Sequence, residues 1–330
     1  MIIDVHGHYT TAPPPLQAFR DAQLAGQPAR LAAISDDELR ASVEGKQLAI
    51  MDRRGVDVTI FSPKASAMEH HVPDPAIAEG WARASNDLVY RVCTLFPGRF
   101  APVAQLPQTP AGNVTGVVAE LRRTVGELGF VGVNLNPDPS GTWAGQPLTD
   151  AAWFGLYEVL EELDVPAMVH VSTACNPNFH TLGAHYLNAD TSVFCQLLEG
   201  DLFARFPRLR FVIPHGGGAV PFHWGRYRGL SMRNGWQEPA ALLANVFFDT
   251  CVYHQAGIDL MLEVLPVDNV VFASEMLGAV RGADPATGVD WDDTLTYVRA
   301  AGLAPEAFDQ VVSGNAQRLY PGLSRWLEVG

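Results

Sequence analysis

Eight short apolar segments recur along the chain, and the intervals between them are mostly long enough to hold a helix. Most of these segments are nearly continuous apolar runs, which is typical of strands buried on both faces of a parallel sheet. The predicted strands cover residues 2–6, 56–62, 100–106, 130–136, 166–171, 209–215, 246–250 and 269–275. No other feature of the sequence restricts the possible folds as strongly as this repeat.

Segments between the predicted strands have the composition and end signals of helices. The predicted helices cover residues 36–53, 74–96, 113–128, 150–163, 191–206 and 255–265. Strands that alternate with helices predict a parallel sheet, and eight such units predict closure into a (β/α)8 TIM barrel. Residues 10–35 are expected to form an irregular, Pro/Ala-rich insertion, which we interpret as a lid. Residues 291–327 are expected to add C-terminal helices that close the barrel.

The composition of the chain argues against several classes of function. No linker rich in Gly, Ser or Pro divides the chain, so residues 1–330 are predicted to form a single barrel domain. A net charge of −14 argues against nucleic acid or an anionic membrane as partner. The longest apolar runs are too short to span a bilayer, and the N-terminus lacks the pattern of a signal peptide. Four cysteines without CxxC spacing fit a cytoplasmic protein with reduced thiols.

Polar residues capable of binding a metal stand at the ends of several predicted strands. Strand one ends in His6-Gly7-His8, strand five in His170 and strand eight in Glu275. The carboxyl ends of barrel strands form one face, where these side chains would meet. Each has a structural alternative when taken alone, such as a packed core histidine or a buried salt-bridge partner. Together they predict one divalent ion held by His6, His8, His170 and Glu275, with zinc expected and manganese possible.

The same residues carry a resemblance to a known family. The sequence resembles the amidohydrolase superfamily, and within it the branch that contains aminocarboxymuconate-semialdehyde decarboxylase and its relatives. The motifs that carry it are the His6-x-His8 pair, His170, His215-Gly216-Gly217-Gly218, Glu275 and Gly314-Asn315-Ala316. The resemblance covers essentially the whole chain and implies a distorted, amidohydrolase-like barrel. A single ion is expected, because predicted strand four carries Asn134 and Asn136 but no lysine that could bridge two metals.

One departure within this resemblance bears on the reaction. The branch usually has an aspartate on strand eight, whereas this chain has Ser274-Glu275. The glutamate and the loops 135–139 and 284–288 are similar to those of hydratases in the branch. These hydratases add water to an unsaturated tricarboxylate of the oxalomesaconate type, in the meta-cleavage breakdown of protocatechuate and gallate. The resemblance therefore implies a hydro-lyase with a small anionic polycarboxylate as substrate.

Hydration of a conjugated double bond requires a base for the water and an acid for the neighbouring carbon. Glu275 is the predicted base, and His215, which ends strand six, is the predicted acid. Cations and amides must also hold the substrate carboxylates. The candidates on the active-site face are Lys64, Asn136, Arg226 and Arg281.

Other functions stay open from the sequence. The alternative reaction is the non-oxidative decarboxylation of an aromatic or muconate-type carboxylic acid by the same ion. Hydrolysis of an amide or lactone is disfavoured by the missing strand-four lysine, and a binding module would need neither an open metal site nor a spare histidine. We also expect a homodimer.

Overall fold

The computed structural model describes residues 1–327 and contains eight parallel strands that pair in sequence order. The strands are β1 Ile3–Tyr9, β2 Val58–Pro63, β3 Phe100–Gln105, β4 Gly132–Leu135, β5 Ala167–Val169, β6 Phe211–Ile213, β7 Val246–Asp249 and β8 Val270–Val271. Each falls on a predicted strand, so the predicted (β/α)8 barrel is confirmed. Most strands are shorter than predicted, because the polar residues at their ends leave the ladder and enter the connecting loops.

The seam between the first and last strands is the distorted part of the barrel. The backbone amide of Val5 donates to the carbonyl of Phe272 at 3.0 Å. Beyond it, the Asp4 carboxylate accepts hydrogen bonds from the Ser274 amide at 3.1 Å and from the Ser274 hydroxyl. The seam is thus closed by one backbone bond and one buried side chain, where other strand pairs share a longer ladder.

Fourteen α-helices surround the strands within residues 1–327. They are α1 Pro14–Leu24, α2 Asp36–Val43, α3 Ala49–Arg54, α4 Pro75–Leu95, α5 Val114–Leu121, α6 Phe154–Leu163, α7 Tyr186–Glu199, α8 Leu202–Arg205, α9 Trp224–Asn234, α10 Gln255–Val264, α11 Thr294–Ala300, α12 Pro305–Asp309, α13 Asn315–Leu319 and α14 Ser324–Leu327. The predicted helices are all present, several of them interrupted or extended by π-helical turns. None of the described helices is both long and apolar enough to cross a membrane.

Two helices differ from the sequence-based expectation. The insertion after β1 is not irregular throughout, because it contains α1, whose first-turn proline needs no amide hydrogen bond. Helix α9 follows β6 and was not predicted, since its glycines and arginines give it little amphipathic pattern. The predicted C-terminal helices are present, and Leu319, Tyr320 and Leu323 pack against the apolar residues inside the barrel.

A bulge in β1 determines which side chains face the barrel interior. Ile3 pairs with Val58 and His8 pairs with Ser62, but the register shifts between Asp4 and Gly7. One extra residue in a strand reverses the alternation of its side chains beyond that point. Ile3 therefore packs with the interior apolar cluster below the bulge, and His8 faces the same interior above it.

Candidate metal centre

His6 and His8 project from β1 toward the same space. Their rings meet edge to face at a centroid distance of 4.8 Å, and their Nε2 atoms lie 3.0 Å apart. Gly7 between them is required sterically, because a Cβ there would lie 2.2 Å from the Thr59 methyl carbon. The sequence therefore predicted correctly that the two imidazoles share one side of the strand.

His170 and His215 complete a cluster of four buried imidazoles. His170 follows β5 directly, and its ring centroid lies 5.1 Å from those of both His6 and His8. His215 follows β6, with centroid distances of 5.4 Å to His6 and 5.2 Å to His170. The predicted strand-end histidines are thus brought together at the carboxyl face of the barrel.

Glu275 reaches this cluster from the loop after β8 through an unusual backbone. Its φ of 51° is left-handed, a conformation that costs free energy for a non-glycine residue and is found preferentially at functional sites. Gly278 makes room for it, since a Cβ there would lie 2.7 Å from the Glu275 carboxyl carbon. The Tyr253 hydroxyl donates a hydrogen bond of 2.8 Å to its Oε2. The carboxylate is therefore held in position by its surroundings.

The closest set of four potential ligands differs in one member from the predicted set. Ligand atoms of His6, His170, His215 and Glu275 all lie within 4.8 Å of one another. His8 is outside this set of four, although its Nε2 lies 3.0 Å from that of His6. Five side chains thus surround one point, and geometry alone allows either His8 or His215 to be the additional ligand.

Hydrogen bonds at Nδ1 fix the tautomers of His6 and His170. His6 Nδ1 lies 2.7 Å from the carboxylate of Asp249, and His170 Nδ1 lies 2.7 Å from the carbonyl of Val171. Both partners are acceptors only, so each Nδ1 carries the proton and each Nε2 presents a lone pair. This arrangement is the one that orients histidine ligands in metal sites.

His8 and His215 are oriented in the same way. The Ser62 hydroxyl lies 3.2 Å from the Gly7 carbonyl and 3.0 Å from the Pro63 carbonyl, so it can donate to a carbonyl and accept from His8 Nδ1 at 2.7 Å. His215 Nδ1 lies 3.0 Å from the buried carboxylate of Asp190. Each of the four Nδ1 atoms therefore has an oxygen within reach that can accept a hydrogen bond, and this arrangement leaves Nε2 free to bind a metal.

The Nε2 atoms of the four histidines indicate whether a metal ion fits this site. Those of His170 and His215 are buried without any hydrogen-bond partner among the described residues. When Nδ1 carries the proton in both His6 and His8, neither Nε2 is protonated, so the two Nε2 lone pairs face each other. Converging buried lone pairs beside the Glu275 carboxylate are unfavourable unless a cation lies between them. Imidazole nitrogens and a carboxylate oxygen suit a divalent transition metal.

The protonation tendencies divide the histidines into two kinds. Burial lowers the pKa of His8 and His170 well below the ordinary value, and the charges of neighbouring histidines lower it further. Burial also opposes a charge on His215, but the carboxylates of Asp190, Glu275 and Asp249 outweigh it and raise its pKa to about 9. His8 and His170 are therefore neutral, as ligands must be, whereas His215 has the carboxylate environment of a proton donor.

A cavity of about 340 Å³ opens above the cluster. Its walls include His8, His170 and Glu275, together with the cations Lys64 and Arg281. This volume suits a small organic ligand. Two of the four predicted substrate contacts, Lys64 and Arg281, therefore lie at the cavity that the site opens into.

The other two predicted substrate contacts lie elsewhere. Asn136 is fully buried, and its amide nitrogen lies 2.9 Å from His70 Nδ1 and 3.1 Å from the Ser172 hydroxyl. Arg226 is exposed on α9 and is not part of the cavity wall. Asn136 thus belongs to a hydrogen-bond network inside the barrel, and nothing in residues 1–327 brings Arg226 to the site.

Several side chains of the site were not identified from the sequence. Asp249 ends β7 and Tyr253 follows it, so the rule that strand ends carry the site could have found both. Asp190 lies on α7 and gives no such signal. Ser62 ends β2, where a serine is too common to be distinctive. Tyr186, by contrast, was expected from the sequence in a loop on the active-site face; it lines the cavity, but from the start of α7 after a π-helical turn.

An eight-stranded parallel barrel with histidines and a carboxylate converging at its carboxyl face defines the class of barrel enzymes that use a bound metal ion. Comparison with known proteins agrees with this class. Residues 3–322 match the sequence profile of the family described as amidohydrolase. The chain therefore belongs to the amidohydrolase family.

Within the family, the chain is similar to hydratases over its whole length. It is 52% identical over 335 residues to 2-keto-4-carboxy-3-hexenedioate hydratase of Sphingobium sp. strain SYK-6, covering 99% of this chain and 98% of the relative. The crystal structure of 4-oxalomesaconate hydratase from Rhodopseudomonas palustris superposes with a TM-score of 0.91 at 51% identity, covering 98% of this chain and 97% of that one.

Decarboxylases of the same family are more distant. Gamma-resorcylate decarboxylase of Polaromonas sp. strain JS666 is 27% identical over 310 residues, covering 86% of this chain and 90% of the relative. The structure of a dihydroxybenzoic acid decarboxylase from the same strain, which contains bound manganese, shares the fold with a TM-score of 0.74 at 20% identity. It covers 98% of this chain and 97% of that one. Hydratases are thus much closer relatives than decarboxylases.

Proposed function

We propose that this chain is a hydro-lyase that adds water to 4-oxalomesaconate, reacting as the isomer 2-keto-4-carboxy-3-hexenedioate. The proposal is supported by sequence identities of 52% and 51%, over nearly the full length, to hydratases named for these two compounds. One observation of the site carries it: the Glu275 carboxylate and a His215 imidazole that favours protonation flank the same point. Hydration needs such a base and acid together.

The chemistry explains why the 3-ene isomer is the reacting form. In that isomer the double bond is conjugated with the ketone at carbon 2, which can take up negative charge when oxygen attacks carbon 4. In 4-oxalomesaconate itself the double bond is conjugated only with carboxylates, which accept charge poorly. Glu275 removes a proton from the attacking water, and His215 Nε2 delivers a proton to carbon 3. The product is a tertiary alcohol at carbon 4, β to the ketone at carbon 2.

The proposed metal site consists of His6, His8, His170 and Glu275, with zinc as the expected ion and manganese as the alternative. A bound divalent ion would supply Lewis acidity, which lowers the pKa of water and stabilises developing negative charge. His6 and His8 would contribute neutral nitrogens whose tautomers are fixed by Asp249 and Ser62. Their rigidity keeps the site open on the cavity side.

Substrate recognition is assigned to the cations at the cavity. Lys64 and Arg281 would each contact one substrate carboxylate, and the predicted contacts by Asn136 and Arg226 lack this support. The Tyr186 ring packs against both His170 and His215, with centroid distances of 5.1 and 5.4 Å. Its ring excludes solvent on one side of the histidines.

One assay distinguishes hydration from the alternative reaction. The purified chain is incubated with zinc or manganese and 2-keto-4-carboxy-3-hexenedioate, and ultraviolet absorbance and carbon dioxide are followed together. Hydration predicts loss of absorbance without carbon dioxide. Release of carbon dioxide from this substrate, or from 2,6-dihydroxybenzoate in a parallel reaction, would assign the chain to the carboxy-lyases.

We further propose a cytoplasmic homodimer. The four cysteines form no disulfide with one another in the described chain, which fits a reducing compartment. Light scattering of the purified protein tests the dimer, because a monomer of 35.7 kDa and its dimer are well resolved.

A further inference from the structure

A second, smaller cavity lies behind Lys64. It has a volume of about 100 Å³ and is bounded by the start of the insertion, the loop after β2 and helix α4. Thr10 and Lys64 line both this rear cavity and the larger cavity above the imidazoles. The two spaces are therefore neighbours across these two side chains.

The rear cavity contains hydrogen-bond donors without partners. The hydroxyls of Thr10 and Ser85 are buried and form no hydrogen bond with any described residue. Ser85 is 3% exposed and lies on α4 beside Trp81, at the inner wall. A buried hydroxyl without a partner costs free energy, so two of them around one small space indicate that a polar group fills it.

The positive charge on the wall of the rear cavity favours an anionic ligand. Lys64 is the one charged side chain among the described residues that line it, and Lys64 forms no ion pair within residues 1–327. The remaining wall is mostly apolar, formed by side chains such as Leu16, Met68 and Trp81. An apolar passage with a cation and two hydroxyls matches a short methylene arm that ends in a carboxylate.

The walls of the rear cavity are held in place by Arg20 of α1. Arg20 is 1% exposed, pairs with Glu69 at 2.9 Å and lies over the Trp81 ring with its guanidinium carbon 5.1 Å from the centroid. It also donates to the Met68 carbonyl at 3.2 Å. These contacts tie the insertion, the loop after β2 and α4 together, so the cavity exists before a ligand binds.

We propose that the rear cavity is the subsite for the carboxymethyl arm of the substrate, with Thr10, Ser85 and Lys64 as donors to its terminal carboxylate. This rests on the proposed function. The substrate has three carboxylates, and two of them are attached directly to the conjugated keto-ene and stay near its plane. Only the third is carried on a tetrahedral carbon, so only that arm can bend away from the reacting atoms into a space behind Lys64.

The test compares the full substrate with 2-keto-4-carboxy-3-pentenoate, which lacks only the terminal carboxylate of this arm. In the metal-loaded wild type, kcat/KM for the full substrate should exceed that for the truncated one by about 10- to 100-fold. Ser85→Val removes one donor and fills the space, so it should bring this ratio close to one by lowering only the value for the full substrate.

Matched variants separate this effect from damage to the fold. Ala84→Val places the same side chain on the same helix outside the cavity, and it should keep the wild-type ratio. Thr10→Val removes only a hydroxyl and should lower the ratio even if Ser85→Val folds poorly. The proposal is overturned if both Ser85→Val and Thr10→Val keep the wild-type ratio, or lower both substrates equally.

Failure of the proposed function gives a different result. In that case the wild type hydrates neither compound, and calorimetry of propane-1,2,3-tricarboxylate and methylsuccinate binding decides the subsite. A preference for the tricarboxylate that is lost in Ser85→Val and kept in Ala84→Val supports it. Equal binding of the two compounds by the wild type overturns it.

Discussion

His215 is the residue whose role is most open to test, because two assignments make different predictions. Its Nδ1 is bound to Asp190, and its Nε2 has no hydrogen-bond partner among the described residues. A ligand atom of its ring lies within 4.8 Å of those of His6, His170 and Glu275. As a proton donor it can be removed without loss of the ion. We therefore expect His215→Asn to retain bound metal while kcat falls by about 10²–10⁴-fold.

Metal stoichiometry measured alongside kcat decides between the two assignments. His223→Asn is the control, since His223 is an exposed histidine in the same connection after β6. It should change neither quantity. If His215→Asn loses metal and activity together, His215 is a ligand and the acid must be sought elsewhere.

Lys64 should contribute to substrate binding more than to chemistry. Its ammonium would meet a carboxylate in the ground state as well as in the transition state, so Lys64→Ala should raise KM with little change in kcat. A charge-assisted contact is worth about 1.5–3 kcal/mol, which corresponds to roughly one to two decades in kcat/KM.

Arg226→Ala is the matched comparison for Lys64, because it removes a cation that the chain places outside the cavity. Steady-state kinetics should show little effect. Equal increases in KM for both variants would return Arg226 to the substrate site, as the sequence first predicted.

His70 makes the stability of the fold depend on pH. It is 2% exposed, and burial lowers its pKa to about 4, although the Leu106 carbonyl accepts a hydrogen bond from its ring. Because the unfolded chain then takes up a proton first, this histidine destabilises the fold as pH falls from about 6.5 toward 4. Between pH 7 and 5 it should cost roughly 2 kcal/mol.

Urea unfolding at pH 7 and pH 5 measures this effect in the presence of a chelator, which removes metal release as a variable. His70→Gln lacks the titrating group and should lose about 2 kcal/mol less than the wild type over this interval. Identical losses in the two proteins would show that His70 is not held neutral by burial.

At the residue level, the sequence located the side chains that end strands and missed those that support them. His6, His8, His170 and Glu275 could be expected to converge, because barrel topology places strand ends together. Asp190 lies on a helix 25 residues before His215, and no local sequence pattern indicates that the two side chains are in contact. The left-handed backbone of Glu275 could not be predicted from the sequence either, because it depends on packing against Gly278.

Among the elements, the insertion after β1 has a structural role that its composition hid. Its helix α1 is fastened to the loop after β2 by the buried Arg20, so it acts as a fixed wall. Arg20→Met keeps the apolar stem but removes the ion pair with Glu69 and the contact with Trp81. We expect the free energy of unfolding to fall by about 1.5–3 kcal/mol.

Urea unfolding of Arg20→Met tests this anchoring, with Arg30→Met as the control. Arg30 is an exposed arginine of the same insertion and its replacement should change stability little. An unchanged free energy of unfolding in Arg20→Met would mean that α1 is a mobile lid, as the sequence suggested.

The positions of the strands could be predicted where the apolar pattern is strong, and less of the structure could be predicted where a local irregularity such as a bulge changes the strand. All eight strands were located, because buried parallel strands are continuous apolar runs. The bulge between Asp4 and Gly7 was not foreseen, although it determines which residues of β1 face inward. Bulges depend on pairing with β2, which a single strand does not encode.

For the whole molecule, removal of the metal should lower stability without unfolding the barrel. The apolar interior and the surrounding helices do not depend on the site, whereas the clustered lone pairs do. At a free metal concentration of 100 times the dissociation constant, the bound ion stabilises the fold by about 2.7 kcal/mol.

Thermal unfolding with and without a chelator measures this contribution, and circular dichroism at 25 °C should stay unchanged. His6→Ala is the control, because a protein that has lost a ligand should respond less to the chelator. Loss of the circular dichroism signal on chelation would show instead that the ion is a structural part of the barrel.

The seam between β1 and β8 has a consequence for how the molecule is made. Asp4 and Ser274 are 270 positions apart, and His6 and Glu275 stand at the same two ends of the chain. At a synthesis rate of ~5–20 residues per second, the first histidines leave the ribosome on the order of 10 to 50 s before the carboxylate that joins them. A nascent chain therefore cannot assemble the complete set of four proposed ligands until translation has passed Glu275.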